Sequence, residues 1–490
     1  MSESAYNDDL LEKELFGGDS DDPDAMSMDV DGMLGMGEAE GLGMNSAEQP
    51  DLTEDKEEEA EKGAEDGAER SKSPEEPAAK PQSDEKTIAA APKPEIEMDD
   101  PPGELTMLER PARTNDIEIG KGLDTCSAYD IVPTVAFMNQ HQIYATAATA
   151  DTRWVYTGGE DGYIRKWDFF ASVNGKQQLT LVQRHAHVDG VTKAGVMASY
   201  WDHLDIATDT AGEALSPVYS LAAHSEGMWL ASGMASGHIA LWSVRHDEGR
   251  RIALLNKHKQ PVSALQTTPD EFGLVSGSWD RAVLYWDLNT GRLARAFSGH
   301  TSQISSIGFQ PSHAAGTSPL LMTSSIDGQC LLWDVRAPQG EQQQPQKLSP
   351  PLRTPPWATS ACWSRDGRRV YVGRRNNTVD EYEIGMGDLP VRTLRLPANS
   401  GPVTALATMA NGRHLICASL DNVRVWDLEV AAGKRSAVPF QVIPGHHGGC
   451  ISSVFVDGSS RYMLTTSGNR GWDGASNNVC LGYEIAPLAK

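Results

Sequence analysis

The chain has 490 residues, and its 68 acidic side chains outnumber its 42 basic ones to give a formal net charge of −26. The excess lies in the first 110 residues, which hold 34 acidic and 9 basic residues, whereas the other 380 hold 34 and 33. This balance argues against direct or sequence-specific binding to nucleic acid, because neutralisation of phosphates by Lys and Arg supplies much of such affinity. The sequence has no run of 18 apolar residues and no basic, apolar leader, so we expect an intracellular protein without a membrane partner.

Residues 1–115 are predicted to form a disordered acidic tail. The segment contains two aromatic residues and offers too little apolar surface to offset a backbone-ordering cost of about 1–2 kcal/mol per residue. Within it, "NDDLLEKELFGGDSDD" spaces Leu11 and Leu15 four residues apart, on one face of a short helix that would form mainly on a partner. Leu11, Leu15 and Phe16 are therefore candidate partner-binding residues. The alternative is a coil with incidental leucines.

An internal repeat dominates the rest of the chain. "TGGEDGYIRKWDF", "ASGMASGHIALWSV", "VSGSWDRAVLYWDL", "TSSIDGQCLLWDV" and "VGRRNNTVDEYEI" share a frame in which Asp, Ser or Asn stands six residues before Trp or Tyr. "CASLDNVRVWDL" is a sixth copy and "TTSGNRGWDGASNNVCLGYEI" a looser seventh. Successive aromatics lie 75, 44, 47, 49, 44 and 57 residues apart, and most of these steps approach the period of WD repeats. With strand-like alternation in each copy, the pattern predicts an all-β, seven-bladed WD40 propeller over residues 126–486.

The outer strand of each predicted blade should come from the residues after the WD position, such as "RLARAFS" after Asp287. The last copy leaves almost no chain beyond Ile485, so its outer strand is expected from "SAYDIVPTVAF", before the first copy. That arrangement would join the two ends of the ring and protect open sheet edges.

The repeated aspartates are predicted to be structural rather than catalytic. An Asp in a tight turn can accept hydrogen bonds from that turn and from a His before the blade, and Ser or Thr and Trp complete a buried polar network. The predicted network residues are His258, Ser276, Asp280, Trp286, His300, Thr323, Asp327 and Trp333, with Asp161 and Trp167 in the first copy. The copies with Ser236, or with Asn376 and Tyr382, are expected to lack the full network.

Two segments depart from the repeat period. Roughly 30 extra residues fall between the first two copies, and the insertion, assigned to 170–215, carries Tyr200, Trp201 and His203 as candidate partner contacts. The alternative is a helix or strand packed against its own blade. The segment 336–351, "RAPQGEQQQPQKLSPP", is rich in Gln and Pro and is predicted to be a loop.

Arginines cluster in the turn of the fifth copy. Arg374 and Arg375 are adjacent there, and they are candidates for binding an acidic partner. The alternative is a pair of solvated turn arginines.

The sequence contains no signature of catalysis, a cofactor or a metal. The motifs GxSxG, GxxxxGK[ST] and HExxH are absent, and the six cysteines form no CxxC pair. The histidine pairs His185 with His187 and His446 with His447 lack further ligands at suitable spacing. We therefore predict no catalytic, cofactor-binding or metal-binding residue.

Several segments resemble one family beyond the repeat itself. They include "TGGEDGYIRKWDFFASVNGKQQLT", "LSPVYSLAAHSEGMWLASG" and "SGSWDRAVLYWDLNTG". The most specific are "VTKAGVMASYWDH" and "SVRHDEGR", since neither follows from the propeller period. Over roughly residues 126–485, the chain is similar to the WD-repeat subunit of the SAGA transcription coactivator that works with the TATA-binding protein, a member of the Spt group.

The resemblance implies a non-enzymatic scaffold in the nucleus. Its partners would be the TATA-binding protein and other SAGA subunits, and it would regulate delivery of the TATA-binding protein to promoters. No catalytic residue carries over, and no family motif fixes the contact surface. An acidic tail is compatible with this role, since a mobile polyanion is attracted to a basic DNA-binding protein. The alternatives are a WD40 substrate receptor or adaptor for a ubiquitin ligase or another nuclear enzyme complex, and an enzyme.

Overall fold

The computed structural model describes residues 118–488, with gaps at 185–189, 207–212, 312–319, 337–343, 356, 421, 433–437, 447–448 and 470–474. The predicted acidic tail, with Leu11, Leu15 and Phe16, lies outside this part of the chain, as do His185 and His187. No helix in the described ranges is long and apolar enough to cross a membrane.

The described chain is built mainly from short strands. In chain order, the elements of its first part are β1 (Ala128–Met138), β2 (Ile143–Ala148), β3 (Trp154–Gly159), β4 (Tyr163–Asp168), α1 (Phe169–Asn174), α2 (Leu181–Arg184), β5 (Lys193–Ala194), β6 (Val196–Asp202), β7 (Leu204–Ile206), β8 (Glu213–Leu215), β9 (Ser220–Ala223), β10 (Trp229–Gly233), β11 (His238–Ser243) and β12 (Arg251–Asn256). The elements that follow are β13 (Val262–Thr267), β14 (Gly273–Ser278), β15 (Val283–Asp287), β16 (Arg292–Phe297), β17 (Ile304–Phe309), β18 (Leu320–Ser325), β19 (Cys330–Asp334), β20 (Gln346–Leu348), β21 (Ala358–Trp363), β22 (Arg369–Arg374), β23 (Thr378–Glu383), β24 (Arg392–Arg395), β25 (Ala405–Thr408), β26 (His414–Ala418), β27 (Val423–Asp427), α3 (Leu428–Ala432), β28 (Phe440–Ile443), β29 (Ile451–Val456), β30 (Tyr462–Ser467) and β31 (Val479–Leu488).

These strands form seven blades. Blade one consists of β2, β3, β4 and β6, and blades two to six are the successive groups of four strands from β9 to β28. Blade seven consists of β29, β30, β31 and β1. The inner strands of neighbouring blades contact one another in an unbroken cycle that returns from β29 to β2. The predicted seven-bladed propeller is confirmed.

Antiparallel pairing gives each blade two distinct ends. The start of the inner strand, the turn between the second and third strands and the end of the outer strand share one end, which we call the upper end. The other two turns of the blade lie at the opposite end.

The ring closes through the two ends of the domain. β1 pairs antiparallel with β31 over nearly its whole length, for example Ile131 with Ile485 and Phe137 with Cys480. The predicted origin of the last outer strand, before the first copy, is confirmed. The short strand β5 then pairs in parallel with β1 at Val135 and covers part of its outer edge.

Hydrophobic cores lie between neighbouring blades. One cluster, for example, joins Ile239 and Leu255 of blade two to Leu274 and Trp286 of blade three. Each blade alternates apolar side chains toward both neighbours, so each sheet buries its two faces only when the ring is assembled.

The insertion predicted at 170–215 has different boundaries in the structure. Its middle part, β6, is the outer strand of blade one and pairs with β4. The extra residues therefore form two pieces: a segment with α1, α2 and β5 before β6, and a hairpin of β7 and β8 after it. The two pieces flank a regular strand because the chain must still supply a fourth strand to blade one.

The Gln/Pro-rich segment predicted as a loop over 336–351 is also corrected in part. β20, within that range, is the outer strand of blade four and pairs with β19, for example Leu348 with Cys330. Leu348 is buried, so part of the segment is a packed strand of blade four rather than a loop.

Candidate functional site

Blade three contains a complete polar network. Nδ1 of His258 donates to Asp280 at 2.9 Å, and Nε2 accepts from the hydroxyl of Ser276 at 2.8 Å. The indole Nε1 of Trp286 donates to the same hydroxyl oxygen at 2.8 Å. The four groups satisfy one another, which leaves no general base directed at solvent.

The carboxylate of Asp280 is held in its charged form. Burial alone would raise its pKa, but hydrogen bonds from His258 and from the backbone N–H groups of Ala282 and Lys259 hold the pKa below its usual value. A carboxylate with this many donors stabilises the turn and is a poor acid or base near neutral pH.

Blade four repeats the arrangement. His300 lies 3.2 Å from Asp327 through Nδ1 and 2.8 Å from Thr323 through Nε2. Trp333 donates to the Thr323 hydroxyl at 2.9 Å. Thr thus replaces Ser with the same hydrogen-bonding geometry.

Blade one contains a variant of the network. Trp167 donates to Thr157 at 2.9 Å, as in the other blades. Asp161, however, pairs with Arg165 on the adjacent strand rather than with a histidine. The sequence grouped Asp161 with the His-paired aspartates, and its actual partner is the cation four residues later.

His203, proposed from the sequence as a partner contact, is a buried network residue of blade two. Its Nδ1 donates to the carbonyl oxygen of Ser216 at 2.7 Å, and Nε2 accepts from Ser232 at 2.9 Å. Trp242 also donates to Ser232, at 2.7 Å. Burial lowers the pKa of His203 to about 4. Blade two therefore has the His–Ser–Trp part of the network, with a backbone carbonyl in place of the Asp.

The two aromatic residues beside His203 have opposite surroundings. Trp201 is buried against Trp242, with ring centroids 6.4 Å apart, and the backbone of Gly249 packs on it at a positive φ of 79°. A partner therefore cannot reach most of the Trp201 ring. Tyr200 points the other way, is 62% exposed and lies edge-on to Tyr163, so it is available to a partner.

The two adjacent arginines of blade five also have different surroundings. Arg374 is fully buried and donates through Nε to Asp380 at 2.8 Å and through Nη2 to Tyr382 at 2.9 Å. It replaces the His-centred network, and it is not available to an acidic partner. Arg375 is exposed, with its guanidinium 4.2 Å from the centroid of Trp357.

The side chain of Lys166 in blade one contacts the loop between β11 and β12 of blade two. Nζ donates to the carbonyl oxygen of Val244 at 2.9 Å and to Glu248 at 2.6 Å, and it lies 4.0 Å from the centroid of Trp154. Burial opposes ionisation of Glu248, but the hydrogen bond and the charge of Lys166, together with the hydroxyl of Ser199, outweigh it and lower the pKa of that carboxyl. The lysine thereby fixes the loop between β11 and β12.

A cleft of about 430 Å³ opens where blades one and two meet at the rim. Within the described residues, its lining consists of Trp201, Asp202, Leu204, Trp242, Gly249 and Arg251. The indole Nε1 of Trp201 is buried there without a hydrogen-bond partner in the described chain. The cleft joins the two segments "VTKAGVMASYWDH" and "SVRHDEGR", which are far apart in sequence.

Metal-ligating side chains do not cluster in the described ranges: no group of three or more His, Cys, Asp or Glu could hold an ion there. His446, one of the paired histidines in the sequence, lies 2.7 Å from Thr465 through Nε2, as the His residues of blades three and four lie near their Thr or Ser. Its neighbour His447 is outside the described residues.

A closed ring of seven blades with His–Ser/Thr–Trp–Asp networks defines a WD40 β-propeller, a class that works by presenting surfaces to other molecules. The family model described as the SPT8 beta propeller matches residues 129–318 and 317–486. The chain belongs to this SPT8 propeller family.

Curated relatives agree with the family match. The chain is 41% identical over 434 residues to the SAGA complex subunit Spt8 of Schizosaccharomyces pombe, with 74% of this chain and 80% of that protein covered. It is 32% identical over 440 residues to the SAGA complex subunit SPT8 of Saccharomyces cerevisiae, with 73% of each covered. Among solved structures, the WD40 repeats of RRP9 cover 73% of this chain and 97% of their own with a TM-score of 0.53. At 17% identity, that likeness shows the fold alone.

Proposed function

We propose that this protein is a non-enzymatic scaffold subunit of the SAGA transcription coactivator in the nucleus. The observation that carries the proposal is the family match across the propeller, together with two relatives that are named as SAGA complex subunits. The blade geometry supports a binding role, because the repeated Asp and His side chains of blades three and four hydrogen-bond to one another within the blades.

We further propose that the protein binds the TATA-binding protein and regulates its delivery to promoters. The net charge of −25 in the first 110 residues supports this part of the proposal. A DNA-binding partner presents a cationic surface for phosphates, and a mobile acidic chain competes for such a surface. If these residues are disordered, as their composition predicts, a coil of this length spans about 50–60 Å on average.

The experiment for subunit membership is affinity purification of the tagged full chain from its native source, followed by mass spectrometry. Recovery of acetyltransferase-complex subunits with the TATA-binding protein is expected. Recovery of ubiquitin-ligase scaffolds without those subunits would instead support the substrate-receptor alternative.

The experiment for the tail compares binding of purified TATA-binding protein to the full chain and to a variant without residues 1–110. The variant should bind more weakly and with a shallower salt dependence, because charge attraction is screened beyond about 8 Å at physiological ionic strength. Replacement of Leu11, Leu15 and Phe16 with Ala tests the apolar part of the tail.

A matched control replaces Leu34, Leu42 and Leu52 with Ala in the same tail. If the control weakens binding as much as the Leu11/Leu15/Phe16 variant, the first stretch has no special role. Equal salt slopes for the full and shortened chains would remove the tail from the proposal.

A further inference from the structure

Three aromatic rings form a continuous row across blades one, two and three. The rings of Tyr144 and Tyr219 are stacked, with centroids 5.9 Å apart and an interplanar angle of 26°. Tyr219 in turn meets Trp279 edge-on at 5.4 Å and 68°. We call these three residues the aromatic row.

The row lies at the upper end of the blades. Tyr144 is the second residue of β2, Tyr219 directly precedes β9, and Trp279 is in the turn between β14 and β15. All three positions belong to the end where inner strands begin. The row therefore crosses two blade boundaries at one mouth of the ring.

Tyr144 departs from the pattern of the other inner strands. It lies in a β-bulge that recurs in four other blades, where the bulged residues are Ser263, Ser305, Thr359 and Ser452. Three of these small residues donate at 2.6 Å to a carbonyl oxygen of the next blade. The blade-to-blade hydrogen bond thus needs only a small hydroxyl side chain, and the large, buried ring of Tyr144 instead supports Tyr219 from beneath by stacking on it.

Two members of the row have polar groups available to a ligand. Within the described chain, neither the hydroxyl of Tyr219 nor the indole Nε1 of Trp279 has a hydrogen-bond partner, and both residues are partly exposed. Burial raises the pKa of Tyr219, so its phenol keeps its proton and can donate. Both groups are therefore hydrogen-bond donors suited to a carboxylate or a carbonyl oxygen.

Cations flank the Trp279 end of the row. Lys257, Lys259 and Arg281 are exposed and have no ion-pair partner among the described residues. Arg281 follows Trp279 by two residues in the same turn. The backbone N–H of Lys259 donates to Asp280 at 3.1 Å and that of Trp279 donates to the carbonyl oxygen of Pro261 at 3.1 Å, so the segment with Lys257 and Lys259 runs beside this turn.

The aspartates at this end are hydrogen-bonded within the blades. Asp161 pairs with the cation Arg165, whereas Asp205 and Asp280 contact the imidazoles of His238 and His258 and are largely shielded from solvent. Glu160, in the upper turn of blade one, is exposed. The exposed charged side chains beside Trp279 are therefore Lys257, Lys259 and Arg281, which are all positive, although the chain as a whole is acidic.

We propose that the aromatic row and its three flanking cations bind an acidic segment of a partner protein that carries aromatic or aliphatic side chains. An apolar side chain of the segment packs on Tyr219 and Trp279, and its carboxylates meet Lys257, Lys259 and Arg281. Aromatic residues beside basic groups are typical of binding hot spots. Nucleic acid fits less well, since three cations oppose a chain charge of −26. The partner chemistry is opposite to that of a basic protein, so this surface is independent of the function proposed above.

The test measures fluorescence anisotropy of a labelled synthetic twelve-residue peptide, in which Asp and Glu alternate with Phe and Leu, against the full chain. Saturable binding is expected. Replacing the acids of the peptide with Asn and Gln, or its Phe and Leu with Ala, should each weaken binding at least about tenfold. An oligothymidylate of the same length serves as the nucleic-acid probe and should bind more weakly than the acidic peptide.

Variants of the protein locate the site. Trp279→Ala and the surface double variant Lys257→Glu/Lys259→Glu should each weaken peptide binding at least about tenfold. The charge-reversed residues are exposed, so this variant keeps the test valid even if Trp279→Ala fails to fold. Phe272→Ala, at an exposed phenylalanine in the turn at the opposite end of blade three, is the matched control and should bind normally.

Three results would overturn the proposal. They are the absence of saturable binding, equal binding of the neutral peptide, and unchanged affinity in the folded charge-reversed variant. Tighter binding of oligothymidylate at the same residues would assign the surface to single-stranded nucleic acid instead.

Discussion

Lys166 of blade one donates a hydrogen bond to the carbonyl oxygen of Val244 in blade two, with 2.9 Å between Nζ and O. Lys166 is nearly fully buried, and Glu248 supplies its counter-charge. The two blades are therefore joined by a polar contact as well as by apolar packing. This contact holds the loop that forms one wall of the rim cleft.

Lys166→Met should lower the free energy of unfolding by about 2 kcal/mol, because two hydrogen bonds from a charged donor are lost and Val244 loses its partner. Glu248→Gln should cost less than about 1 kcal/mol, because Glu248 is partly exposed and Lys166 keeps its backbone acceptor. Urea denaturation measures both. Lys121→Met, at an exposed lysine, is the control, and an equal loss in all three variants would contradict the inter-blade role.

Truncation tests ring closure. A chain that starts at residue 118 should keep the melting temperature of the full protein, since it retains β1. A chain that starts at residue 140 loses β1 and uncovers the edge of β31, so it should unfold or aggregate. Size-exclusion chromatography and circular dichroism distinguish the cases, and a folded, monomeric chain from 140 would refute closure by β1.

Asp280→Ala should destabilise the protein by about 1–3 kcal/mol, because it leaves Nδ1 of the buried His258 without an acceptor. Thermal unfolding measures the effect. The control is Asp130→Ala, which removes an exposed carboxylate from a strand and should change stability by less than about 0.5 kcal/mol. A similar result for both aspartates would mean that the network adds nothing to stability.

Stability should fall as the pH is lowered from about 6.5 to about 4, through His203. In this window the imidazole of His203 is protonated in the unfolded state but not in the folded state. Protonation therefore favours unfolding, by up to about 3 kcal/mol. Urea midpoints between pH 7.5 and 4.5 measure the slope. His203→Gln should reduce the slope and leave the part that comes from His414, whose pKa burial also lowers, whereas His246→Gln, at an exposed histidine, should keep the profile. Parallel profiles for the wild type and His203→Gln would exclude this origin.

The repeat could be read from the sequence because it is local. An Asp, Ser or Asn six residues before a Trp or Tyr marks one hairpin in five copies, and two less regular copies complete the seven, without knowledge of any long-range contact. The closing strand also followed, because one blade was short of an outer strand. Both predictions rest on counting strands.

His203 was misassigned because its blade contains a hairpin insertion. His258 precedes its Ser by 18 residues, whereas His203 precedes Ser232 by 29, and the hairpin of β7 and β8 accounts for the difference. The alternation in "VMASYWD" was the available signal that this stretch is a strand and that Trp201 and Tyr200 point to opposite sides.

Arg374 was misassigned because arginine is mostly exposed in proteins. In the sheet register, however, Arg374 pairs with Ala358 as Ser278 pairs with Val262, so it stands at a buried position of the repeat. The aromatic row could not be predicted at all, since its ring contacts join residues from three different copies.

Closure by β1 also affects how the chain folds. β1 is synthesised before the seven inner strands, yet its partner β31 emerges last, and the pairing spans almost the whole domain. Contacts of such sequence separation form slowly. During translation β1 therefore lacks its final neighbour, and the nascent ring should depend on protection from aggregation until the last blade is complete.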